Sequence, residues 1–532
     1  MSSPLALTIP DFLATAADRH PGKPFLWFEG TEVSYAAFWA QVEQVARGWL
    51  ALGVHPGARV ALRLGNSPAF LLAWLGAVTA RAIAVPVNPQ LTVDETRAIL
   101  AHAEPSALVV EPDWVEEARK LTAELPGLRV VLVAGGDAAR EGPGLLPFQA
   151  LLEAPPLPLS RPGPEDVATF IYTSGTTGRS KAVMQTHQTY VLTGQAFPWW
   201  LGLTAEDRLL TALPLFHINA QAYSTMGTIG AGATLILLPR FSASRFWEQA
   251  TASRATEFNA LGAMLAILLK QPPSPAERAH AVRICYTAPV LPAAMHEACE
   301  ARFGFHLKYG YGLSESTFGT VVPRDRPWKP GSMGRARQHP ELGVINEVRI
   351  VDSVGSELPP GEVGEIVLRN PAVMKGYFKE PALSAEALRG GWFHTGDSAC
   401  RDTDGDFFFV DRLKDLIRRR GENISSVEIE DVLRAHPAVL ECAAIPVPSE
   451  LTEDEIKAYV VFREGAGAEA AELFAWCAAR LARFKVPRFL EVREALPHTP
   501  TGRVAKYQLR QEAATPKGPR YDREALPVPP PG

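Results

Sequence analysis

The chain has 532 residues, 47% of them hydrophobic and 21% charged, which is the composition of a globular protein too long for a single hydrophobic core. A net charge of -5 argues against a protein built to bind nucleic acid or an anionic membrane, so a polyanionic ligand must be held by local groups. The 5 cysteines lie far apart, without a Cys-x-x-Cys pair or a zinc-like histidine spacing, which favours free thiols in a reducing compartment. We expect a cytoplasmic protein, because the N-terminus lacks a signal-peptide pattern and the longest apolar stretch, residues 70–87, contains Arg81 and Pro86.

Helical and strand patterns alternate in the first part of the chain. Helices are predicted over residues 35–52, 69–80 and 94–102, and strands over residues 59–64, 82–86 and 107–110. Alternation of this kind is typical of parallel α/β layers. A further strand is predicted over residues 167–172. Beyond it the pattern returns, with strands predicted over residues 208–212, 234–238 and 282–286, so we expect a second layered subdomain.

The patterns change again beyond residue 324. Turn-rich sequence over residues 324–364, with strand patterns over 348–352 and 364–369, indicates a smaller β-rich subdomain. From residue 413 an α+β unit is predicted, with helices over 426–435 and 469–483 and strands over 439–447, 456–462 and 489–494. We therefore predict one domain over residues 1–412, a second over 413–514 and a proline-rich, mobile tail over 515–532. The charged segment 411–415 between them suits a hinge, with a plain surface turn as the alternative.

The segment that follows the predicted strand 167–172 is the most informative one in the chain. It concentrates glycines, hydroxyl side chains and a lysine, namely Thr173, Ser174, Gly175, Thr176, Thr177, Gly178, Arg179, Ser180 and Lys181. Backbone N–H groups, hydroxyls and one cation at a strand end can converge on anionic oxygens, so the segment is predicted to bind phosphate. It is not a Walker A loop, because no Gly-Lys pair occurs in it. A Gly/Ser/Thr-rich surface turn is the alternative interpretation.

Three later segments contain residue types that suit a nucleotide. In chain order they are Lys308-Tyr309-Gly310-Tyr311-Gly312-Leu313-Ser314-Glu315, then Gly391-Trp392-Phe393-His394-Thr395-Gly396-Asp397 with Arg412 beyond it, and then residues 497–506, which end in Lys506. An aromatic face suits a purine, and a carboxylate suits a diol or a hard cation. Each segment alone is weak evidence for nucleotide binding, since Asp397 could cap a turn and a lysine near a C-terminus is ordinarily exposed to solvent.

Taken together, in this order and spacing, the four segments resemble the signature of the adenylate-forming superfamily, which includes acyl-CoA synthetases, luciferases and the adenylation domains of peptide synthetases. The resemblance spans residues 8–510. It implies an α/β fold with a large N-terminal domain of layered α/β subdomains plus a small β-rich subdomain, followed by a mobile α+β C-terminal domain. It also implies two reaction steps, in which a carboxylate and Mg-ATP give an acyl-adenylate and pyrophosphate, and a thiol then displaces AMP.

The resemblance also assigns residues to the nucleotide and the metal. It implies that the loop 173–181 holds the β- and γ-phosphates and that Thr173 and Glu315 lie at the magnesium ion. Tyr311 would stack on adenine, and Ser314 would bond the α-phosphate. The other implied nucleotide-binding residues are Gly310, through its backbone, Asp397 and Arg412, at the ribose hydroxyls, and Pro289 and Tyr309.

Further matches concern catalysis, the hinge and the thiol path. Lys506 matches the lysine that bridges the attacking carboxylate and the α-phosphate, and Lys414 matches the hinge position. The segment Gly421, Glu422 and Asn423 resembles the loop that lines the pantetheine channel. His217 falls where many acyl-CoA ligases place an aromatic gate between the carboxylate and thiol sites, with a core histidine as the alternative.

The implied cofactors are ATP, Mg²⁺ and CoA, and the implied substrate is a carboxylic acid. Among relatives, the chain looks most like crotonobetaine/carnitine:CoA ligases and fatty-acid:CoA ligases. Transfer of the acyl group to a carrier protein or an amine is an alternative, a non-catalytic or light-emitting relative is another, and a homodimer is a possible assembly. The acid is not readable from sequence. A quaternary ammonium would call for an aromatic cage or a carboxylate, and the cage candidates Trp199, Trp200 and Tyr223 read equally as core residues.

Overall fold

The structure is a computed structural model that describes residues 4–135, 145–173, 181–412, 416–419, 422–449, 453–497, 504 and 506–525. The described residues pack into two compact units. The first unit takes its residues from 1–89, 97–172 and 182–411, and the second from 90–96, 173–181 and 412–532. The predicted domain limits at residues 412 and 514 stay predictions.

Strands and helices alternate from residue 31 to residue 133, which includes the interval 35–110 where the sequence pattern predicts alternation. The helices are α1 (Ile9–Arg19), α2 (Tyr35–Ala51), α3 (Pro68–Thr79), α4 (Val93–Ala103) and α5 (Val115–Glu124). The strands are β1 (Pro24–Phe28), β2 (Thr31–Ser34), β3 (Arg59–Arg63), β4 (Ile83–Pro86), β5 (Ala107–Val110), β6 (Val130–Val133), β7 (Leu145–Pro147), β8 (Val167–Thr173) and β9 (Lys181–Thr186).

Seven of these strands form one sheet in the order β7-β6-β5-β3-β4-β8-β9. The neighbours from β7 to β8 pair in parallel, which confirms the predicted parallel layers. The central strands are apolar apart from the arginines at the two ends of β3, as expected for strands covered on both faces. Helix α3 contains most of the long apolar stretch, and it is buried from Phe70 to Thr79 in the protein core. Within the described ranges, no helix is long and apolar enough to cross a membrane.

The chain between residues 187 and 412 builds a second, larger sheet. Its helices are α6 (His187–Leu201), α7 (Met226–Ala231), α8 (Phe246–Ala252), α9 (Gly262–Lys270), α10 (Ala293–Phe303) and α11 (Pro381–Ala387). Its strands are β10 (Arg208–Thr211), β11 (Thr234–Leu237), β12 (Glu257–Leu261), β13 (Ile284–Ala288), β14 (His306–Leu313), β15 (Ser316–Val321), β16 (Ser332–Ala336), β17 (Glu347–Val351), β18 (Gly364–Arg369), β19 (Phe393–Arg401) and β20 (Phe407–Arg412).

The larger sheet has 13 strands in the order β17-β18-β19-β20-β16-β15-β14-β13-β12-β10-β11-β1-β2. The strands β1, β11, β10, β12, β13 and β14 pair in parallel, and the described pairs beyond β14 are antiparallel. The second layered subdomain and the smaller β-rich subdomain of the prediction are therefore two ends of one sheet. Strand β14 belongs to both ends, because it pairs in parallel with β13 and antiparallel with β15.

The second unit is an α+β unit, as predicted. Its helices are α12 (Ser426–Arg434), α13 (Ala470–Ala478) and α14 (Lys506–Gln511), and its strands are β21 (Leu416–Arg419), β22 (Glu422–Ser425), β23 (Val439–Pro448), β24 (Asp454–Phe462), β25 (Phe489–Val492) and β26 (Arg520–Asp522). The strands β23-β24-β25-β26 form a four-stranded sheet, and β21 and β22 form a hairpin.

The interval 515–532, which composition marks as a tail, contributes a strand to this sheet. Residues Arg520–Asp522 pair antiparallel with β25, and Tyr521 lies opposite the buried Leu490. Proline content describes the whole interval, whereas a three-residue strand needs only a free sheet edge beside it. The tail prediction is therefore wrong for these three residues.

Candidate functional site

The predicted phosphate loop lies between two strands that are neighbours in the seven-stranded sheet. Thr173 is the last residue of β8 and Lys181 the first residue of β9. Ser174, Gly175, Thr176, Thr177 and Gly178 lie outside the described residues. Because β8 runs parallel to β4, the loop begins at the carboxyl edge of the parallel strands, where α/β sheets bind their ligands.

The second motif forms a tight hairpin between β14 and β15. Leu313 pairs with Ser316, so Ser314 and Glu315 form its two-residue turn. The side-chain amide of Gln185, on β9, donates a hydrogen bond to the carbonyl of Ser314. The strand that leaves the phosphate loop is thereby joined to the residues predicted for the α-phosphate and the metal.

Glu315 is held by the segment around residue 377 through both its backbone and its side chain. The backbone N–H of Met374 donates to the carbonyl of Glu315 at 2.7 Å, and the Tyr377 hydroxyl donates to the Glu315 carboxylate at 3.0 Å. Burial, reinforced by the adjacent Glu315 carboxylate, raises the pKa of Tyr377, so this hydroxyl stays protonated as a donor. Residues 375–378 also pair with β9.

The third motif meets the second through one hydrogen bond. The Tyr311 hydroxyl donates to the Asp397 carboxylate at 2.8 Å. The turn before Asp397 is fixed by Glu365, which accepts from the Gly396 backbone N–H at 2.9 Å and lies 2.8 Å from Nδ1 of His394. The residues predicted for adenine and for ribose therefore lie side by side, although 86 positions separate them in the chain.

The two tyrosines of the second motif face different environments. The Tyr309 side chain is fully buried in the core, with its hydroxyl 3.0 Å from Nδ1 of His296. Its ring is therefore closed to a nucleotide, and its predicted role is restricted to the backbone. At Gly310 the backbone packs so closely against Tyr286 and Arg337 that a side chain would collide with both.

His217 and Pro289 follow two parallel strands of the larger sheet. His217 lies in the loop after β10, half-buried against Phe216, and Pro289 directly follows β13. Strands β10, β12, β13 and β14 are successive parallel neighbours, so these residues and Tyr311 lie toward the same carboxyl edge.

Lys506 is the first residue of α14 in the second unit, where it is bound to helix α12. Its Nζ lies 2.6 Å from the Glu430 carboxylate and donates to the Ser426 hydroxyl at 2.8 Å. Glu430 also accepts from the Ala444 backbone N–H at 2.8 Å. Helix α14 is tied to β24 by the Tyr459 hydroxyl, which donates to the Leu509 carbonyl at 3.2 Å. The predicted catalytic lysine is thus held by a carboxylate of its own unit.

The other predicted residues of this region are partly described. Arg412 is the last residue of β20, and Glu422 and Asn423 lie in β22. Lys414 and Gly421 lie outside the described residues.

The donor types fit a magnesium ion that arrives with a phosphate ligand. Such an ion needs only one or two protein carboxylates, because phosphates and water complete its shell. Glu315 supplies a carboxylate at the hairpin turn and Thr173 a hydroxyl at a strand end. No group of three or more His, Cys, Asp or Glu side chains that could hold a metal was found in the described part of the chain.

Sequence reasoning missed Gln185, Tyr377, Glu430 and Arg337, which contact the predicted residues. Gln185 and Tyr377 belong to a strand and a loop whose own pattern is ordinary, and they reach Ser314 and Glu315 only through long-range pairing. Glu430 lies in the first turns of an acidic helix, where carboxylates are common. No local signal separates these side chains from ordinary ones.

Comparison with known proteins covers nearly the whole chain. A family described as AMP-binding enzyme matches residues 13–378, and a family described as AMP-binding enzyme C-terminal domain matches residues 428–503. The crotonobetaine/carnitine–CoA ligase of Citrobacter koseri is 34% identical over 509 residues, which are 93% of this chain and 97% of that protein.

Solved structures give the same result. An o-succinylbenzoate CoA synthetase from Bacillus subtilis, bound to a product analogue, has a TM-score of 0.82 at 26% identity and covers 95% of this chain and 99% of its own. An amide bond synthetase from Marinactinospora thermotolerans has a TM-score of 0.83 at 28% identity, with the same coverage of 95% and 99%.

Proposed function

Because the chain belongs to the family of AMP-binding enzymes, we propose that it is an AMP-forming acyl-CoA ligase. It would activate a carboxylic acid with Mg-ATP to an acyl-adenylate and pyrophosphate, and then transfer the acyl group to CoA. The observation that carries the proposal is the convergence, within the first unit, of the strand that follows the phosphate loop and two separate later motifs. Gln185 joins the strand after the phosphate loop to Ser314, and Tyr311 joins the same hairpin to Asp397.

In the first half-reaction a carboxylate oxygen attacks the α-phosphorus and the bond to pyrophosphate breaks. Two anions must approach each other, so cations and aligned dipoles have to offset their repulsion. The loop 173–181 would hold the β- and γ-phosphates, and Ser314 would bond the α-phosphate. Magnesium, held by Glu315 with Thr173, would neutralise phosphate charge. The hydrogen bond from the Tyr377 hydroxyl to one carboxylate oxygen of Glu315 orients this carboxylate.

The nucleoside would lie against the Tyr311–Asp397 pair. The Tyr311 ring can stack on adenine while its hydroxyl stays bonded to Asp397, which fixes the plane of the ring. Asp397 and Arg412 would take the ribose hydroxyls. Gly310, Pro289 and the backbone of Tyr309 complete the proposed contacts around the base.

Lys506 would bridge the attacking carboxylate and the α-phosphate in this first step. To do so it must exchange its bond with Glu430 for one with the substrates. In the second half-reaction the sulfur of CoA attacks the acyl carbon and AMP leaves. This step would require a rotation of the second unit at Lys414. CoA would enter through a channel formed by Gly421, Glu422 and Asn423, and His217 would act as a gate between the acid and thiol sites.

The acceptor is supported by the relatives that the chain matches. The Citrobacter koseri relative is named a CoA ligase and covers 93% of this chain. An amine acceptor is the second candidate, because one of the similar structures is an amide bond synthetase. Both candidates share the adenylation step and differ only in the nucleophile that takes the acyl group.

A pyrophosphate-release screen tests the proposal. Short, medium, aromatic and betaine-type carboxylates are each incubated with Mg-ATP, with and without CoA. We expect pyrophosphate release with at least one acid and a stoichiometric acyl-CoA product. Adenylate formation with an amide product from an added amine, but no thioester, would favour the second candidate. The absence of pyrophosphate release with every acid would refute both.

A further inference from the structure

Arg337 follows β16 and is fully buried in the first unit. Its Nε donates to the Thr320 carbonyl at 2.8 Å, and its Nη1 donates to the Thr317 carbonyl and the Tyr223 hydroxyl, both at 2.8 Å. Its Nη2 donates to the Tyr286 hydroxyl. The hydrogen bonds of this buried cation are therefore accepted by neutral oxygens, two from backbone carbonyls and two from tyrosine hydroxyls.

The same guanidinium lies inside a box of aromatic rings. Its central carbon is 4.8 Å from the ring centroid of Trp200, 5.0 Å from that of Tyr223 and 5.6 Å from that of Tyr286. Trp200 and Tyr223 are the residues that the sequence offers as a cage for a quaternary ammonium. In the structure this cage holds a cation of the protein itself. Trp199, the remaining candidate, is 46% exposed.

Arg337 remains charged in this position. Burial lowers its pKa, but the Tyr223 and Tyr286 hydroxyls favour the charged form more strongly, so that the pKa of Arg337 lies above its ordinary value. Among the residues that the structure describes, no carboxylate lies within ion-pair distance of it. The positive charge is therefore not cancelled locally, and it acts on whatever binds nearby.

The charge lies directly behind the hairpin of the proposed site. Its guanidinium contacts the backbone at Gly310. It also binds the carbonyl of Thr317, which lies in β15 shortly after the turn residue Glu315. Tyr223 follows His217 in the chain, and its hydroxyl is so close to Gly312 that a side chain there would collide with it. Arg337 thus connects the segment after the proposed gate with the residues proposed for the α-phosphate and the metal.

We propose that Arg337 makes the acid site select against positive charge, so that the substrate is a carboxylic acid whose acyl part carries no cationic group. This inference rests on the proposed ligase function and names its substrate class. As a general scale, like charges separated by about 10 Å at an effective dielectric constant near 20 repel enough to weaken binding about tenfold, and we use this factor as the expected size of the effect. The chain would then differ in substrate from a relative named for crotonobetaine and carnitine.

A matched pair of acids isolates the charge. In 4-(trimethylammonio)butanoate and 5,5-dimethylhexanoate the acyl groups have the same shape, and a nitrogen cation in the first replaces a neutral carbon in the second. We expect kcat/KM for pyrophosphate release to favour the neutral acid by at least about tenfold. Equal turnover, or a preference for the cationic acid, would overturn the inference while leaving the ligase function intact.

Variants at two neighbouring arginines separate charge from simple desolvation. In Arg337→Met the ratio of kcat/KM for the neutral acid to kcat/KM for the cationic acid should fall about tenfold. In Arg337→Lys, which keeps the charge, this ratio should stay near the wild-type value. Arg335→Met is the control, because Arg335 lies two positions before Arg337, in β16, and its charge is paired with Asp406 at 3.0 Å. A ratio in Arg337→Met that matches the Arg335→Met ratio would overturn the inference. If Arg337→Met loses its fold by circular dichroism, Arg337→Gln, uncharged but still a donor, replaces it.

Binding of inert adenylate analogues separates this inference from the proposed function. The two acyl groups are attached to sulfamoyl-adenosine, and both Kd values are measured by calorimetry. Tighter binding of the neutral analogue supports the inference, and equal binding overturns it. If neither analogue binds and no acid gives pyrophosphate release, the proposed ligase function is overturned, and this inference with it.

Discussion

Replacing Lys506 with alanine should separate the two proposed half-reactions. The proposed role of Lys506 is to stabilise charge in the adenylation transition state only. Loss of one such electrostatic donor lowers the rate by about 10²–10³. We therefore expect adenylation to fall by at least this factor, while thioester formation from supplied acyl-adenylate stays close to the wild-type rate.

The contacts of Lys506 predict a second, structural effect of the same substitution. Its side chain is 13% exposed and lies 2.6 Å from the Glu430 carboxylate, whose side chain is 9% exposed. Removing one partner of a buried ion pair costs about 3–5 kcal/mol, because the other charge is left without compensation. Water reaches this pair in part and Ala444 still donates to Glu430, so we expect a loss toward the lower end of this range. The second unit should unfold at a lower temperature.

A double variant distinguishes the catalytic effect from the structural one. In Lys506→Ala/Glu430→Gln the unpaired carboxylate is gone, so stability should recover while adenylation stays low. The assays are pyrophosphate–ATP exchange for adenylation, acyl-CoA formation from synthetic acyl-adenylate, and thermal unfolding. Recovery of adenylation in the double variant, or an equal loss of both half-reactions in Lys506→Ala, would refute the proposed role.

Three further substitutions test the hinge, the metal and the gate. Lys414→Pro should leave adenylation largely intact and slow thioester formation, because proline fixes φ near -65° and removes an N–H; unchanged thioester formation would exclude Lys414 as the pivot. Glu315→Gln should raise the magnesium concentration needed for half-maximal activity more than it raises KM for the acid, since it removes charge but keeps size; an unaltered magnesium titration would mean that Glu315 is structural. His217→Ala should raise the ratio of pyrophosphate released to acyl-CoA formed above one as adenylate leaks into water, and a ratio that stays near one would leave the gate unassigned.

The fold was predictable to the extent that it depends on short-range patterns. Strands such as β3 and helices such as α3 match the predicted intervals to within about two residues, because periodicity and capping residues act locally. The order of strands within the sheets was not predictable. Strands β1 and β2 join the larger sheet beside β11, about 200 residues later in the chain, and β26 completes the sheet of the second unit. Such pairing depends on which edges are free after the rest of the chain has folded.

The candidate site divides in the same way. Its charged and aromatic residue types, and their order along the chain, are visible in the sequence as four motifs. Their mutual contacts are not, because Gln185, Tyr377 and Glu430 reach the motif residues across long separations and carry no local signal.

The sequence by itself determined that the chain is a layered α/β protein with a nucleotide-type set of motifs, because periodicity and motif spacing are properties of neighbouring residues. Only the tertiary structure decided which face each motif side chain takes. Tyr309 and Tyr311 are two positions apart in β14, a spacing that places both on one face of a regular strand, yet the Tyr309 ring lies in the core while the Tyr311 hydroxyl bonds Asp397. A strand that is covered on both faces has apolar residues on both faces, so its sequence pattern does not show which side chains lie in the core and which line a cleft. For the same reason the aromatic cage was visible as residues, but the cation inside it, Arg337, was not.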